Sequence, residues 1–151
     1  MKKNNSHSIA IEKFLSAKDI AIAGVSRDNK KFGNRVFNLL QTKGYKLYPV
    51  HPEAESIEGV NCFKMPSDVP QNVRHLYIVT PSNVTDKLIE SAAARGYEMI
   101  WIQQKSETPK SVQLAQGKGI EVISNRCMFM YLNPEGAHAF HRFLVKLFGK
   151  L

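Results

Sequence analysis

Four apolar residues, Ile20-Ala21-Ile22-Ala23, run directly into Gly24-Val25-Ser26-Arg27-Asp28-Asn29-Lys30-Lys31-Phe32-Gly33-Asn34, and an amphipathic pattern of helical period follows at once. A short strand, a glycine-bearing loop and a helix in that order make a parallel-sheet unit, because the helix returns the chain so that the next strand can run the same way. The arrangement also suits phosphate. The first turn of a helix has unpaired backbone N–H groups at the positive end of its dipole, and glycine lets an anion approach the backbone. The loop departs from the dinucleotide fingerprint G-x-G-x-x-G: Ser26 stands where a second glycine is needed, the last glycine comes late at Gly33, and the inserted residues bring Arg27, Lys30 and Lys31. That concentration of cations points to a ligand with more than one phosphate group and away from NAD as first choice.

The unit recurs along the chain. Strands are predicted over residues 20–23, 45–50, 75–79, 98–103 and 121–124, and helices over 9–16, 34–43, 84–95, from Thr108-Pro109 to Gly117, and over 134–148. Gly44 and Gly96 are placed to end helices, and Ser82 or Asn83 to cap the start of one. Residues 53–73 are broken by Gly59, Pro66 and Pro70 and read as short turns of helix. The expectation is one α/β domain over residues 1–151, with residues 1–8 an unordered tail. Its Rossmann-like parallel sheet has about five strands in the order 3-2-1-4-5, with helices on both faces.

Ligands of such sheets lie beyond the carboxyl ends of the strands, which makes the residues after each strand the ones to read. Gly24, Ser26, Arg27, Lys30, Lys31, Gly33 and Asn34 form the first such segment. After strand two, where NAD-binding domains place a carboxylate for the ribose hydroxyls, stand His51 and Pro52. Histidine would not repel a ribose phosphate, so the position favours an adenosine ligand phosphorylated on its ribose; His51 also suits a surface turn. Thr80, Pro81 and Ser82 bring two hydroxyls to a helix start, and Gln103 points from the end of strand four toward the presumed cleft. Trp101 reads as core. Cys127, beside Arg126, is either a reactive thiol or a buried structural one.

Other chemistry is thinly represented. The formal net charge of +8, from 21 Lys+Arg against 13 Asp+Glu, favours anionic partners, but the basic residues are scattered and no surface aromatics interleave them. Nucleic acid is therefore not expected as a partner. Cys62 and Cys127 have no C-x-x-C spacing, and His138 and His141 have no H-E-x-x-H frame, so no metal site is expected. There is no G-x-S-x-G elbow, no G-x-x-x-x-G-K-[ST] loop and no acid–base pair on adjacent strand ends, so no catalytic residue is assigned. With no signal peptide and no apolar run long enough for a bilayer, no membrane partner is expected and the cytoplasm is the expected location. Phe140, Phe143, Leu144, Leu147 and Phe148 give the last helix a wide apolar face, for the core or for a homodimer.

Taken together, Ile20 to Ser26 with the late Gly33, Tyr48-Pro49-Val50-His51-Pro52, Val79-Thr80-Pro81-Ser82, Trp101-Ile102-Gln103 and Asn125-Arg126-Cys127 resemble the small stand-alone coenzyme A-binding proteins. These share their Rossmann-like fold with the nucleotide-binding domain of the succinyl-CoA synthetase α subunit. The resemblance spans about residues 18–132. It implies coenzyme A as cofactor, lying across the first loop with Gly24, Ser26 and the loop bases at its phosphates and with the Pro52 and Pro81 turns flanking the adenosine. Two departures stand out: Asn125 occupies a place where family members often have aspartate, and the second synthetase domain with its phosphorylated histidine has no counterpart here. The expected function is a coenzyme A-binding protein, non-catalytic by itself. The alternative is an NADP-dependent oxidoreductase or redox-sensing nucleotide-binding domain, since His51 and the loop lysines would serve a 2′-phosphate equally well.

Overall fold

The computed structural model describes residues 2–132. Five parallel strands, β1 (Asp19–Ala23), β2 (Lys46–Val50), β5 (His75–Ile78), β6 (Met99–Gln103) and β7 (Glu121–Arg126), form one sheet in the order β2-β1-β5-β6-β7. Counting only these strands, the order is 2-1-3-4-5, not the predicted 3-2-1-4-5. The reason is burial. All four residues of β5 are buried, which requires a partner on each side, and β5 pairs with β1 through Ile20↔His75 to Ala23↔Ile78 and with β6 through His75↔Met99 to Ile78↔Ile102. In β2 Lys46 is exposed and Tyr48 half-buried, a pattern that suits an edge.

Side chains alternate across the sheet and divide the core into two layers. On one face Ile20, Ile22, Tyr77, Met99 and Trp101 pack under α1 (Lys2–Ser16), α2 (Phe32–Thr42) and α5 (Met128–Leu132). On the other, Ala21, Ala23, Leu76, Ile78, Ile100 and Ile102 pack under α3 (Ser82–Arg95) and α4 (Pro109–Gly117). Helices thus cover both faces, as expected. Trp101 is fully buried in the first layer, its indole N–H donating to the Arg126 carbonyl at 3.1 Å.

Residues 53–73 differ from the expected turns of helix. They hold a two-stranded hairpin, β3 (Ser56–Ile57) with β4 (Val60–Asn61), and a 3-10 turn at Pro66–Asp68. The hairpin closes through Glu58 and Gly59, both at positive φ (52° and 75°), the conformation a tight two-residue connection demands. Helix α3 ends as read, at Gly96 in the left-handed region. Its start does not: Pro81, not Ser82 or Asn83, is the N-cap, and Ser82 already lies in the helix. Helix α4 opens on a reciprocal box in which Thr108 Oγ1 accepts from Ser111 N–H at 3.0 Å and Ser111 Oγ accepts from Thr108 N–H at 2.8 Å. Helix α1 runs ahead of the predicted start at Ile9 and takes in residues 2–8. The helix predicted over 134–148, with His138 and His141, lies outside the described residues. Among the described residues no helix is long and apolar enough to cross a membrane.

Candidate functional site

Because β1 is flanked by β2 on one side and β5 on the other, and the helices that follow β1 and β5 leave to opposite faces, a crevice opens at the carboxyl end of β1. Its floor is shaped by two glycines. Gly24 has φ +109°, and a Cβ there would lie 2.5 Å from the Val79 carbonyl of the neighbouring strand end. A Cβ on Gly33 would lie 2.6 Å from the Gly24 carbonyl oxygen, so the late glycine lets the start of α2 settle onto the loop. Asn34 then locks the loop: Oδ1 accepts from Ser26 N–H at 2.9 Å, and Nδ2 donates to the Ser26 carbonyl at 2.7 Å and to Glu58 at 3.1 Å. Ser26 Oγ accepts from Asp28 N–H at 3.0 Å, and Asp28 accepts from Lys30 N–H at 3.0 Å. The loop is thus set by its own hydrogen bonds, and no side chain caps the start of α2.

Two cavities meet over this floor. One, of about 450 Å³, lies against the loop and is lined by Gly24, Ser26, Lys31, Gly33, Thr80 and Pro81 among others. The second, of about 410 Å³, shares Gly24, Ser26 and Thr80 and extends between Val50, His51 and Pro52 on one side and Val84, Lys87 and Leu88 of α3 on the other. No aspartate or glutamate lines either. A larger hollow of about 560 Å³ between α1, Arg126 and Tyr131 takes in none of the predicted ligand residues.

Of the residues singled out by sequence, the structure brings together Gly24, Ser26, Lys31, Gly33, His51, Pro52, Thr80 and Pro81. Five lie elsewhere. Arg27 pairs with Glu53 at 3.1 Å, both side chains exposed. Lys30 is exposed on the loop and lines neither cavity. Asn34 is fully buried as the lock just described. Ser82 sits in the first turn of α3, outside the lining. Gln103 does not point into the cleft: it is buried, and its amide oxygen accepts from the Tyr77 hydroxyl at 2.7 Å and Met128 N–H at 3.1 Å. Burial holds the Tyr77 hydroxyl well above the usual tyrosine range, so this pair is a neutral strut.

His51 lines the second cavity and also ties a turn. Nδ1 accepts from Glu53 N–H at 3.0 Å and Ala54 N–H at 2.9 Å, which ties the turn after β2. Lys64, Met65 and Lys87 were missed. The first two arrive because Phe63 bridges to Val50, with His51 N–H donating to Phe63 O at 2.8 Å and Phe63 N–H to Pro49 O at 2.8 Å. Val84, Lys87 and Leu88 stand at i, i+3 and i+4 on one face of α3, a spacing visible in sequence. Cys127 is buried. Among the described residues no group of three His, Cys, Asp or Glu side chains gathers to hold a metal.

The family model described as CoA binding domain matches residues 18–133. The α subunit of acetate–CoA ligase [ADP-forming] II from Pyrococcus furiosus is 28% identical over 129 residues, covering 78% of this chain and 28% of that subunit. The chain therefore spans little more than a quarter of the ligase subunit. A conserved hypothetical protein from Pyrococcus furiosus superposes with a TM-score of 0.73 at 27% identity, covering 76% of this chain and 99% of that one. A hypothetical protein from Pyrococcus horikoshii OT3 gives a TM-score of 0.75 at 26% identity, covering 85% of this chain and 89% of that one.

Proposed function

The chain belongs to the CoA binding domain family, and from that premise we propose that it is a coenzyme A-binding protein, non-catalytic by itself, that holds its ligand over the carboxyl end of β1. The observation that carries this reading is the pair of cavities joined at Gly24, Ser26 and Thr80 and free of lining carboxylates. Gly24, Ser26, Lys31 and Gly33 take the pyrophosphate, with the uncapped start of α2 behind them. The adenine lies in the second cavity, between Pro52 and Met65 on one side and Val84 and Leu88 on the other. Repulsion is avoided in the same design, since Glu53, the first acid after β2, is drawn off by Arg27.

The non-catalytic part rests on the lining. It offers hydroxyls, lysines and His51, whose Nδ1 is engaged by two backbone N–H groups. Ligation is the activity named for the acetate–CoA ligase subunit; it is not carried over, because the match covers one part of that protein. Calorimetric titration of the full chain with coenzyme A, NAD and NADP tests the reading. Saturable binding of coenzyme A in preference to NAD is expected. Preference for NADP over coenzyme A would overturn it in favour of an NADP-dependent oxidoreductase or redox sensor.

A further inference from the structure

We propose that Lys64 and Lys87 form a second anion subsite, separate from the glycine loop, that receives a phosphomonoester on the adenosine ribose. The proposal rests on the coenzyme A reading above and adds to it the residues that would select the ribose phosphate. Both lysines line the 410 Å³ cavity and come from different elements, Lys64 from the segment after β4 and Lys87 from the second turn of α3. Neither lines the cavity at the loop, and Lys31 does not line theirs. The crevice therefore has two cationic poles, with shared walls at Gly24, Ser26 and Thr80 between them.

Two other cations are already held by carboxylates. Lys13 sits within 3.2 Å of both Glu98 and Glu121, and Arg27 is paired with Glu53. Lys64 and Lys87 have no ion-pair or hydrogen-bond partner among the described residues. The acids nearest them in the chain are engaged elsewhere: Asp68 accepts from Met65 N–H at 3.2 Å and Asp86 from Thr108 Oγ1 at 3.2 Å. Both lysines line one cavity without a carboxylate, so a dianion bound there is attracted by two cations with no acid of the lining to oppose it. A pyrophosphate at the loop and a phosphomonoester at this pole describe a ligand with separated phosphate groups. A dinucleotide without a ribose phosphate leaves the second pole empty.

The test compares coenzyme A with dephospho-coenzyme A, and adenosine 3′,5′-bisphosphate and adenosine 2′,5′-bisphosphate with AMP, by calorimetry on the full chain at low salt. Wild type should bind coenzyme A about tenfold more tightly than its dephospho form. Lys64→Ala with Lys87→Ala should abolish that preference and leave dephospho-coenzyme A binding unchanged, whereas Lys64→Arg with Lys87→Arg should keep it. Equal losses for both ligands in the alanine variant, or no discrimination by wild type, would overturn the subsite while sparing the coenzyme A reading. If neither form of coenzyme A binds, the parent reading falls. The subsite then stands only if either bisphosphate outbinds AMP in a lysine-dependent way. Thermal melts of both double variants should match wild type, because the two side chains are exposed.

Discussion

At Gly24 the backbone leaves room for nothing larger than hydrogen. Positive φ and a Cβ position 2.5 Å from the Val79 carbonyl act together, so Gly24→Ala must strain its own backbone and push β5's end away from β1. Urea unfolding should show a loss of at least about 2 kcal/mol, with coenzyme A binding lost as well; a variant as stable as wild type would refute the geometry. Asn34 works by a different route. Asn34→Ala strips Ser26 of partners for both its N–H and its carbonyl, and a loss of about 1–3 kcal/mol is expected by the same measurement. Gly24 was legible in sequence because a glycine between an apolar strand and a helix has a local meaning. Asn34 and Gln103 were not, because their partners, Glu58 for one and Tyr77 and Met128 for the other, meet them only in the folded chain. Arg27 read as a phosphate ligand for the same reason: the carboxylate that claims it stands beyond β2.

Among the elements, α1 is fastened to the amino end of the sheet by a group that titrates. His75, at the start of β5, is buried, lies flat on Phe14 with ring centroids 5.1 Å apart, and keeps Nδ1 3.2 Å from the Phe14 carbonyl. Burial lowers its pKa from 6.5, with Lys13 acting the same way, while the Phe14 carbonyl, Glu98 and Glu121 oppose the shift. The folded protein therefore binds fewer protons at His75 than the unfolded chain does, and stability is complete above about pH 6.5 and declines as pH falls below it. Urea midpoints should drop between pH 6.5 and 5 in wild type and drop less in His75→Phe, which keeps the ring contact without the charge. Identical pH profiles would refute the role. Glu98, held below its usual 4.5 by Lys13, adds its own loss only at lower pH. Element identity was readable from periodicity, and the Thr108-Pro109 start and Gly96 stop were readable from side-chain chemistry alone. The β3–β4 hairpin was hidden because its turn uses Glu58, a residue that carries no turn signature.

For the whole molecule, strand order decides how the ligand couples to folding. Sequence reading placed the His75 strand at an edge although Leu76, Tyr77 and Ile78 are apolar enough for burial on both sides; weighing that run against Lys46 in β2 points to the observed order. With β5 beside β1, the crevice draws walls from β1, β2, α3 and the segment after β4, so a ligand there joins residues from both sides of β1. Binding should therefore stabilise the native state as a unit and not merely quiet one loop. At a coenzyme A concentration one hundred times its Kd, linkage gives about 2.7 kcal/mol. For a chain of this size that is a rise in Tm of roughly 5–10 °C. NAD at the same concentration should leave Tm unchanged, and the coenzyme A shift should shrink with added salt, since a net charge of +8 on the protein favours an anionic ligand most at low ionic strength. Amide exchange would locate the effect. Protection that grows in β1, β2, β5 and α3 together supports a ligand bridging the strands, whereas protection confined to residues 24–34 would mean that the loop alone holds it and that the second cavity plays no part.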